Sequence, residues 1–452
     1  MLFKRKIYSK LLDWKTHSAG KTALLIEGAR RIGKSTIVEA FAKRQYESYL
    51  LLDFTTVSNK IKQYFEEYLS KPDLFYQLLQ VETGVELKCR KSLLVFDEVQ
   101  RFPRAREAIK PLVKDGRYDI IETGSLISIK ENVSNILVPS EEHAISMYPM
   151  DFEEFLWACG EQPLATYIKD CFDKKLPLEE SIHRKAMLLL KQYMIVGGMP
   201  QSVAAYLDND LSFQAADAQK RDILALYRSD IGKADGAYRT KVLTLFNQIP
   251  GFLSKHEKTV EFKKAGSPKG SSGMTESFFW LQDSMMANLC ICSRDPNIGL
   301  ALNADEAKVK CYMGDTGLLL SQTFTEEEIK QGETYRKLMN DRLSINQGMF
   351  YENLVAQMLT CAGHPLYFYA HYNPALHRND IEIDFLLSEG ILSQYRLQPI
   401  EVKSSKNYTT TSLHAFKEYF PRRVSQAYII HPKNLKVEDG ITYLPVYMTY
   451  LL

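Results

Sequence analysis

The chain has 452 residues, enough for about two to four domains that each bury a core of their own. Its 45% apolar and 25% charged residues exclude collagen, coiled coil and wholesale disorder, and a net charge of +2 gives no global footprint for a polyanion. Seven scattered cysteines form neither a disulfide framework nor paired CxxC clusters, so a reducing, cytoplasmic setting is expected.

The N-terminus, MLFKRKIYSKLLDWK, is basic but lacks the apolar stretch of a signal peptide, and no apolar run reaches the roughly 18 residues of a membrane span, so no membrane partner is expected. Over residues 1–155 short β-rich runs alternate with helical ones, the pattern of an α/β core with a mostly parallel sheet. Strands are expected at Thr22 to Glu27, Ser48 to Asp53, Ser92 to Asp97, Tyr118 to Thr123 and His143 to Tyr148. Residues 156–235 carry a helical period and read as a lid or connector. Residues 236–325 run helix, helix, then two strand-like segments near Leu289 to Cys292 and Val309 to Met313, compatible with a winged helix, with ESFFWLQDSMMANL as one helix. GSPKGSSG, Gly266 to Gly273, is a low-complexity loop. Residues 326–452 read as helix (MFYENLVAQML), strand (PLYFYA), strand pair (IEIDFLL and LQPIEVKSS), helix (SLHAFKEYF) and strand (QAYIIHP).

Residues 28–35, GARRIGKS, match GxxxxGKS between a strand and an amphipathic helix. Gly28 and Gly33 let the backbone fold around a phosphate, and the following helix adds the positive end of its dipole. Lys34 is expected on the β- and γ-phosphates of ATP and Ser35 on Mg²⁺, with Arg31 and Thr36 counted among the nucleotide-binding residues. SLLVFDE ends in Asp97, which fits the carboxylate holding Mg²⁺, and Glu98, which fits the base that polarises water. DIIETGS ends in Thr123 and Ser125, where a hydroxyl reaches the γ-phosphate or a simple turn lies. Arg101, Arg104, Arg106 and Arg117 read as solvated charge, with an arginine finger to a neighbouring subunit of an oligomer as the sharper alternative.

GARRIGKST, LLVFDEVQRFP, IIETGS, MYPMDFEEFL, YMIVGGMP, KCYMGDTGLL and YENLVAQML followed by EVKSS together resemble a family of prokaryotic AAA-type ATPases, related to archaeal and STAND ATPases, with a C-terminal domain of uncharacterised function. The resemblance implies a P-loop NTPase core, a helical and winged-helix middle and a restriction-endonuclease-like α/β end. An arginine that many relatives carry ahead of the PLSFxEF-like element is absent from PSEEHAISMYPMDFEEF.

In LQPIEVKSS, Glu401 and Lys403 share one strand face, and Asp384 in the preceding strand can lie opposite them. With Glu352 from the helix, this set resembles the PD-(D/E)xK nuclease core: Glu352, Asp384 and Glu401 hold Mg²⁺, and Lys403 acts on the attacking water. The proline expected shortly before Asp384 is missing, and from Asp341 onward ten acidic residues balance ten basic ones. The bland alternative is a polar strand face with an ordinary ion pair. Lys255, Lys258, Lys263, Lys264 and Lys269 could contact DNA phosphates beside a winged helix, or form a solvated wing over a core of Phe278 and Leu281, the reading preferred here. Two functions follow: an ATPase whose nucleotide state controls a nuclease-like effector on DNA, or an ATP-gated switch whose C-terminal domain binds a protein or nucleic acid without cutting it. An open cleft around Lys403 favours the first, a covered or salt-bridged one the second.

Overall fold

The computed structural model describes residues 2–124, 140–232, 236–255, 258–261, 274–297, 299–330, 333–340, 347–375, 377–388, 397–405 and 407–452. Ser125, Lys263, Lys264, Lys269 and the GSPKGSSG loop lie outside the described residues. The chain divides into two compact units, Met1–Tyr148 with Asp283–Met285, and Pro149–Gln282 with Met286–Leu452.

The first unit holds β1 (Ala23–Glu27), β2 (Ser48–Asp53), β3 (Ser92–Asp97), β4 (Asp119–Gly124) and β5 (Glu142–Ser146) in the order β2-β3-β4-β1-β5. Each of these neighbours pairs in parallel. SLLVFD and DIIETG are buried along their whole length, as continuous apolar strands covered on both faces must be. On one side Phe54 meets Phe65 and Phe96 edge-on at centroid distances of 5.7 and 5.9 Å, which seats the helices Asn59–Glu67 and Pro72–Thr83. The helix Lys34–Gln45 buries Ile37, Val38 and Phe41, the 3–4 spacing of a single apolar stripe. Because the strands are parallel, the carboxyl ends of β1, β3 and β4 share one edge of the sheet, where ligands bind in such folds.

The second unit opens with helices, among them Phe152–Ala158, Glu180–Val196, Pro200–Asp208 and Phe213–Ile231, and continues into a sheet. Its strands are β6 (Val260–Glu261), β7 (Ala287–Ser293), β8 (Ala304–Met313), β9 (Leu366–Asn373), β10 (Arg378–Ser388), β11 (Leu397–Val402), β12 (Ala427–His431), β13 (Lys436–Glu438) and β14 (Ile441–Pro445). Their order is β13-β14-β12-β11-β10-β9-β7-β8-β6. The sheet is mixed, with β7–β9, β11–β12 and β12–β14 parallel.

Both strand-like segments of the expected winged helix are strands, but β7 pairs with β9 through Cys290↔Leu366 and Cys292↔Phe368. Strands on either side of the boundary expected at 325/326 therefore lie in one sheet. Leu289, Cys290 and Cys292 are buried on β7, and an isolated hairpin would leave them uncovered. ESFFWLQDSMMANL is not one helix: Met274–Asp283 is helical, Met285 turns left-handed at φ 56°, and Ala287 begins β7. Phe278 and Leu281 are fully buried, as the core reading required.

The turn after Glu180–Val196 sets the tightest packing in this unit. A Cβ on Gly198 would stand 2.1 Å from the carbonyl oxygen of Met150, whereas one on Gly251 would meet nothing within 4 Å. Gly198→Ala is expected to destabilise the protein by about 1–3 kcal/mol in urea unfolding, the usual cost of forcing atoms into a packed site. Gly251→Ala, inside the helix Gly236–Ser254, is expected to be neutral or stabilising by up to about 1 kcal/mol.

Candidate functional site

Residues 28–33 follow β1 directly and lead into the helix Lys34–Gln45. Gly33 and Arg31 take left-handed backbone, at φ 93° and 68°, so the chain curls as an anion-binding turn requires. Gly28 admits no side chain, since a Cβ there would lie 2.5 Å from the carbonyl oxygen of Met147. Ile32 is buried as the peg of the loop. Its carbonyl accepts from Arg5 Nη1 at 2.9 Å, and Arg5 Nη2 donates to the Tyr148 carbonyl at 2.6 Å. Arg5, in the basic N-terminus, thus clamps the loop from a position that the motif does not reveal.

Lys34 Nζ is buried and donates to the carbonyls of Gly28 and Ala29, both at 2.9 Å. Burial lowers the ammonium to about 8, against the opposing pull of Glu98 and Asp97. Ser35 Oγ donates to Asp97 Oδ1 at 3.0 Å, and the Thr123 hydroxyl donates to the same carboxylate oxygen. β4 lies between β1 and β3, which is how Thr123 comes to stand beside Asp97. Glu98 sits at φ 54°, a left-handed backbone that non-glycine residues adopt at a cost, often at functional sites. Gln100 Nε2 donates to Glu98 Oε2 at 2.5 Å, an orienting contact that the sequence signals only as a polar residue two positions on. Arg31 and Thr36 are exposed, and neither side chain has a partner among the described residues.

The oxygen set of Ser35, Asp97 and Thr123 suits Mg²⁺, and the loop with its unneutralised ammonium suits phosphate. Of the four arginines, Arg106 is spent inside the unit, with Nη2 at 2.7 Å from both Glu142 oxygens and Nε at 3.6 Å from the buried Glu122. Arg117 pairs with Asp115 and Asp73, and Arg104 with Glu107. Arg101 is exposed without an ion pair among the described residues.

In the second unit the pairing Phe385↔Ile400 brings Asp384 beside Glu401, as the strand pair implied. Asp384 Oδ2 accepts the Val402 N–H at 2.9 Å, and Lys403 Nζ binds Glu401 Oε1 at 2.6 Å. Burial raises the Glu401 carboxyl, with Lys403 acting against it. What the sequence reading missed is Lys310 on β8, only 1% exposed in its side chain. Its ammonium lies 3.2 Å from Glu382, 3.5 Å from Asp384 and 3.6 Å from Glu352. Burial alone would lower it, but Glu352, Asp384 and Glu382 together hold it above the ordinary lysine value. Glu352 also accepts from Tyr312 and pairs with Lys258, a lysine expected on a solvated wing, with nucleic-acid phosphate as the alternative. Among the described residues no group of three or more His, Cys, Asp or Glu side chains is arranged to hold a metal ion. The expected ligands Glu352, Asp384 and Glu401 are each on a lysine instead. For Glu401 the partner is two residues away in the same motif, but for Glu352 and Asp384 the lysines are 42 to 94 residues away, and no local motif spans that distance.

Lys310→Met should destabilise the second unit by about 3–5 kcal/mol at neutral pH, the cost of leaving buried charge without its partner. Without the ammonium, the buried carboxylates of the variant would have folded-state pKa values above their unfolded ones. The folded variant then binds the extra protons, so its deficit against wild type is expected to shrink as pH falls from about 8 to 5 in urea unfolding.

Residues 20–156 match the family model described as "AAA domain". Residues 187–328 and 347–449 match two further models, each described as "Domain of unknown function" (DUF8612 and DUF4143). No curated protein matches. Among solved structures, AMPPCP-bound DnaA from Aquifex aeolicus is 12% identical, covering 76% of this chain and 95% of its own, with a TM-score of 0.29. A STAND protein with a tetratricopeptide repeat sensor from Pyrococcus horikoshii is 10% identical over 80% of this chain and 48% of its own, with a TM-score of 0.29. The Hsp104-ADP complex of S. cerevisiae is 14% identical over 80% of this chain, with a TM-score of 0.29; the match spans 45% of the Hsp104 chain. At TM-scores this low, none of these likenesses bears on fold or chemistry. No described helix is long and apolar enough to cross a membrane. The match of residues 20–156, with their phosphate-binding loop, supports an AAA-type ATPase domain, joined to two segments that match domains of unknown function.

Proposed function

We propose that the protein is an ATP-driven switch: the first unit binds and hydrolyses Mg²⁺-ATP, and the second is a binding module rather than a nuclease. The first half rests on Lys34, a buried ammonium bound only to loop carbonyls, beside Asp97 and Glu98 at the carboxyl end of β3. ATP supplies the phosphoryl group and Mg²⁺ the charge neutralisation that such a site requires. Lys34 exchanges two carbonyl contacts for phosphate oxygen. Ser35 and Asp97 hold the cation. Glu98, oriented by Gln100, takes a proton from water, and Thr123 keeps Asp97 in place. Arg31, Gly33 and Thr36 belong to the loop and first helical turn around the phosphates.

The second half rests on Lys310. An internal ammonium already neutralises Glu352, Asp384 and Glu382, and Lys403 is occupied by Glu401, the salt-bridged state that separates a binding module from a cutting one. The nuclease reading keeps one observation in its favour, the alignment of Asp384 with Glu401 on adjacent strands, but it needs Lys258 and Lys310 to withdraw before a cation can enter.

Lys34→Ala is expected to abolish ATP binding in calorimetry, whereas Glu98→Gln should keep binding and lose turnover, because the lysine acts on the bound ground state and the glutamate only on water. Equal turnover in wild type and Lys34→Ala would remove the ATPase reading. For the second unit, titration of the nucleotide-free protein with Mn²⁺ should show no binding that Asp384→Asn abolishes. Mn²⁺-dependent cutting of a mixed DNA and RNA panel, lost in Asp384→Asn and Lys403→Ala, would restore the nuclease.

A further inference from the structure

The second unit contains a cavity of about 750 Å³ that neither the ATP site nor the carboxylate cluster uses. We propose that it binds a small phosphate ester of nucleotide size, such as a nucleoside monophosphate. This proposal does not rest on the ATPase reading.

Its position is the first argument. Ser404 and Ser405 follow the end of β11, Lys433 and Asn434 follow the end of β12, and all four line the cavity. β11 and β12 are neighbours and parallel, and the crevice outside the carboxyl ends of parallel strands is where such sheets place ligands. The volume lies within the range of roughly 300–1,000 Å³ that small-molecule sites occupy.

Charge is the second argument. The opposite wall is one face of the helix Glu180–Val196, where Glu180, Arg184, Leu188 and Lys191 recur at spacings of three and four. With Lys433, three cationic side chains face the cavity against the single carboxylate of Glu180. The Arg184 guanidinium has a 3.4 Å contact from Nε to the Glu180 carbonyl and a weak attraction to Glu179, and Lys433 lies over the Tyr408 ring at 5.6 Å; neither is in an ion pair with a carboxylate among the described residues. Lys185, next along the same helix but outside the cavity, is paired with Glu161 at 2.7 Å. Two cations outside any ion pair, with Ser404 and Ser405 lining the same cavity, fit a doubly charged phosphate. Leu188, half exposed, and Met187 offer an apolar bed for a ring beside it. A nucleic-acid polymer fits less well, because ten acidic and ten basic residues from Asp341 onward leave no positive track to follow the strand.

The test is calorimetry on the full-length protein carrying Lys34→Ala, which removes phosphate binding at residues 28–35, with AMP as probe and adenosine, inorganic phosphate and a 5′-phosphorylated ten-nucleotide DNA strand as comparisons. Saturable AMP binding, weaker for adenosine, falling with salt and reduced about tenfold or more by Arg184→Ala with Lys433→Ala, is the expected result. Both replaced side chains are exposed, so unchanged thermal unfolding without probe should confirm that the doubly substituted protein is folded. No AMP or phosphate binding up to about 10 mM, a range that covers even weak single-phosphate sites, would overturn the proposal, as would AMP binding that survives the double substitution. DNA binding about tenfold or more tighter than AMP would overturn the small-ester assignment in favour of a strand end. Failure of the ATP site would instead appear as unchanged ATP turnover in Lys34→Ala, a separate result.

Discussion

An ammonium taken out of water must find negative charge within a few ångströms, and in the second unit Lys310 imposes that requirement on the fold. It sits on β8, while Glu352 comes from the helix Gly348–Cys361 and Glu382 and Asp384 from β10. Neither set is stable in the interior alone: the lysine would lose its proton, and the carboxylates would repel one another. Their attraction ties β8 to β10 across β7 and β9 and ties the helix to both. The joining of β7 to β9 is thus supported from both edges, by backbone pairing within and by charge across.

A second buried carboxylate works in the same way on the helical layer. Asp315 caps the helix Thr316–Thr323 by accepting the Leu318 N–H at 3.0 Å, and also accepts the Gly198 N–H at 2.6 Å and Gln357 Nε2 at 3.3 Å. Burial raises its pKa, and these donors oppose the rise. Gly197, at φ 81°, has no room for a side chain because a Cβ would lie 2.3 Å from Asp315 Oδ1. The GGMP and GDTG runs are therefore two halves of one contact. Gln357 passes the connection on by donating to the Tyr193 hydroxyl at 3.0 Å, and Tyr193 donates to the Met150 carbonyl at 2.6 Å. Met150 stands two residues past Tyr148, where the chain leaves the ATPase unit, so the first residues of the second unit are tied to the helix that bears Glu352.

What could be read from the sequence was local. The phosphate-binding loop is specified within eight residues, and the strands Ser48–Asp53 and Ser92–Asp97 are bounded by the same turn residues that a reader sees. Asp384 beside Glu401 was legible because a strand pair with a short connection has few registers that keep its apolar face inward. Arg106 was not: its spacing looks like surface charge, and only β4 and β5 reveal the Glu122 and Glu142 that bury it. Lys310 was invisible for the same reason, since its run AKVKCYM alternates like any half-buried strand. The strands Lys436–Glu438 and Ile441–Pro445 were missed because they are only three and five residues long and take their pairing from each other and from β12.

Lys34 and Lys310, two of the three buried lysines among the described residues, separate the roles of the two units; the third, Lys220, donates to the Ile195 carbonyl and lies beside Asp217. Lys34 and Lys310 are equally removed from water, yet burial wins at Lys34, lowering it to about 8, while three carboxylates win at Lys310 and raise it. At Lys34 the pull of Glu98 and Asp97 does not offset burial, and among the described residues the ammonium's hydrogen bonds go to carbonyls, so an anion arriving there gains a charge-assisted contact. At Lys310 the demand is met by the chain itself, and a cation arriving at the same carboxylates must first displace it. Binding follows unmet charge, not charge as such: the loop of the first unit is built to receive a ligand, and the nuclease-like face of the second is built to hold itself together.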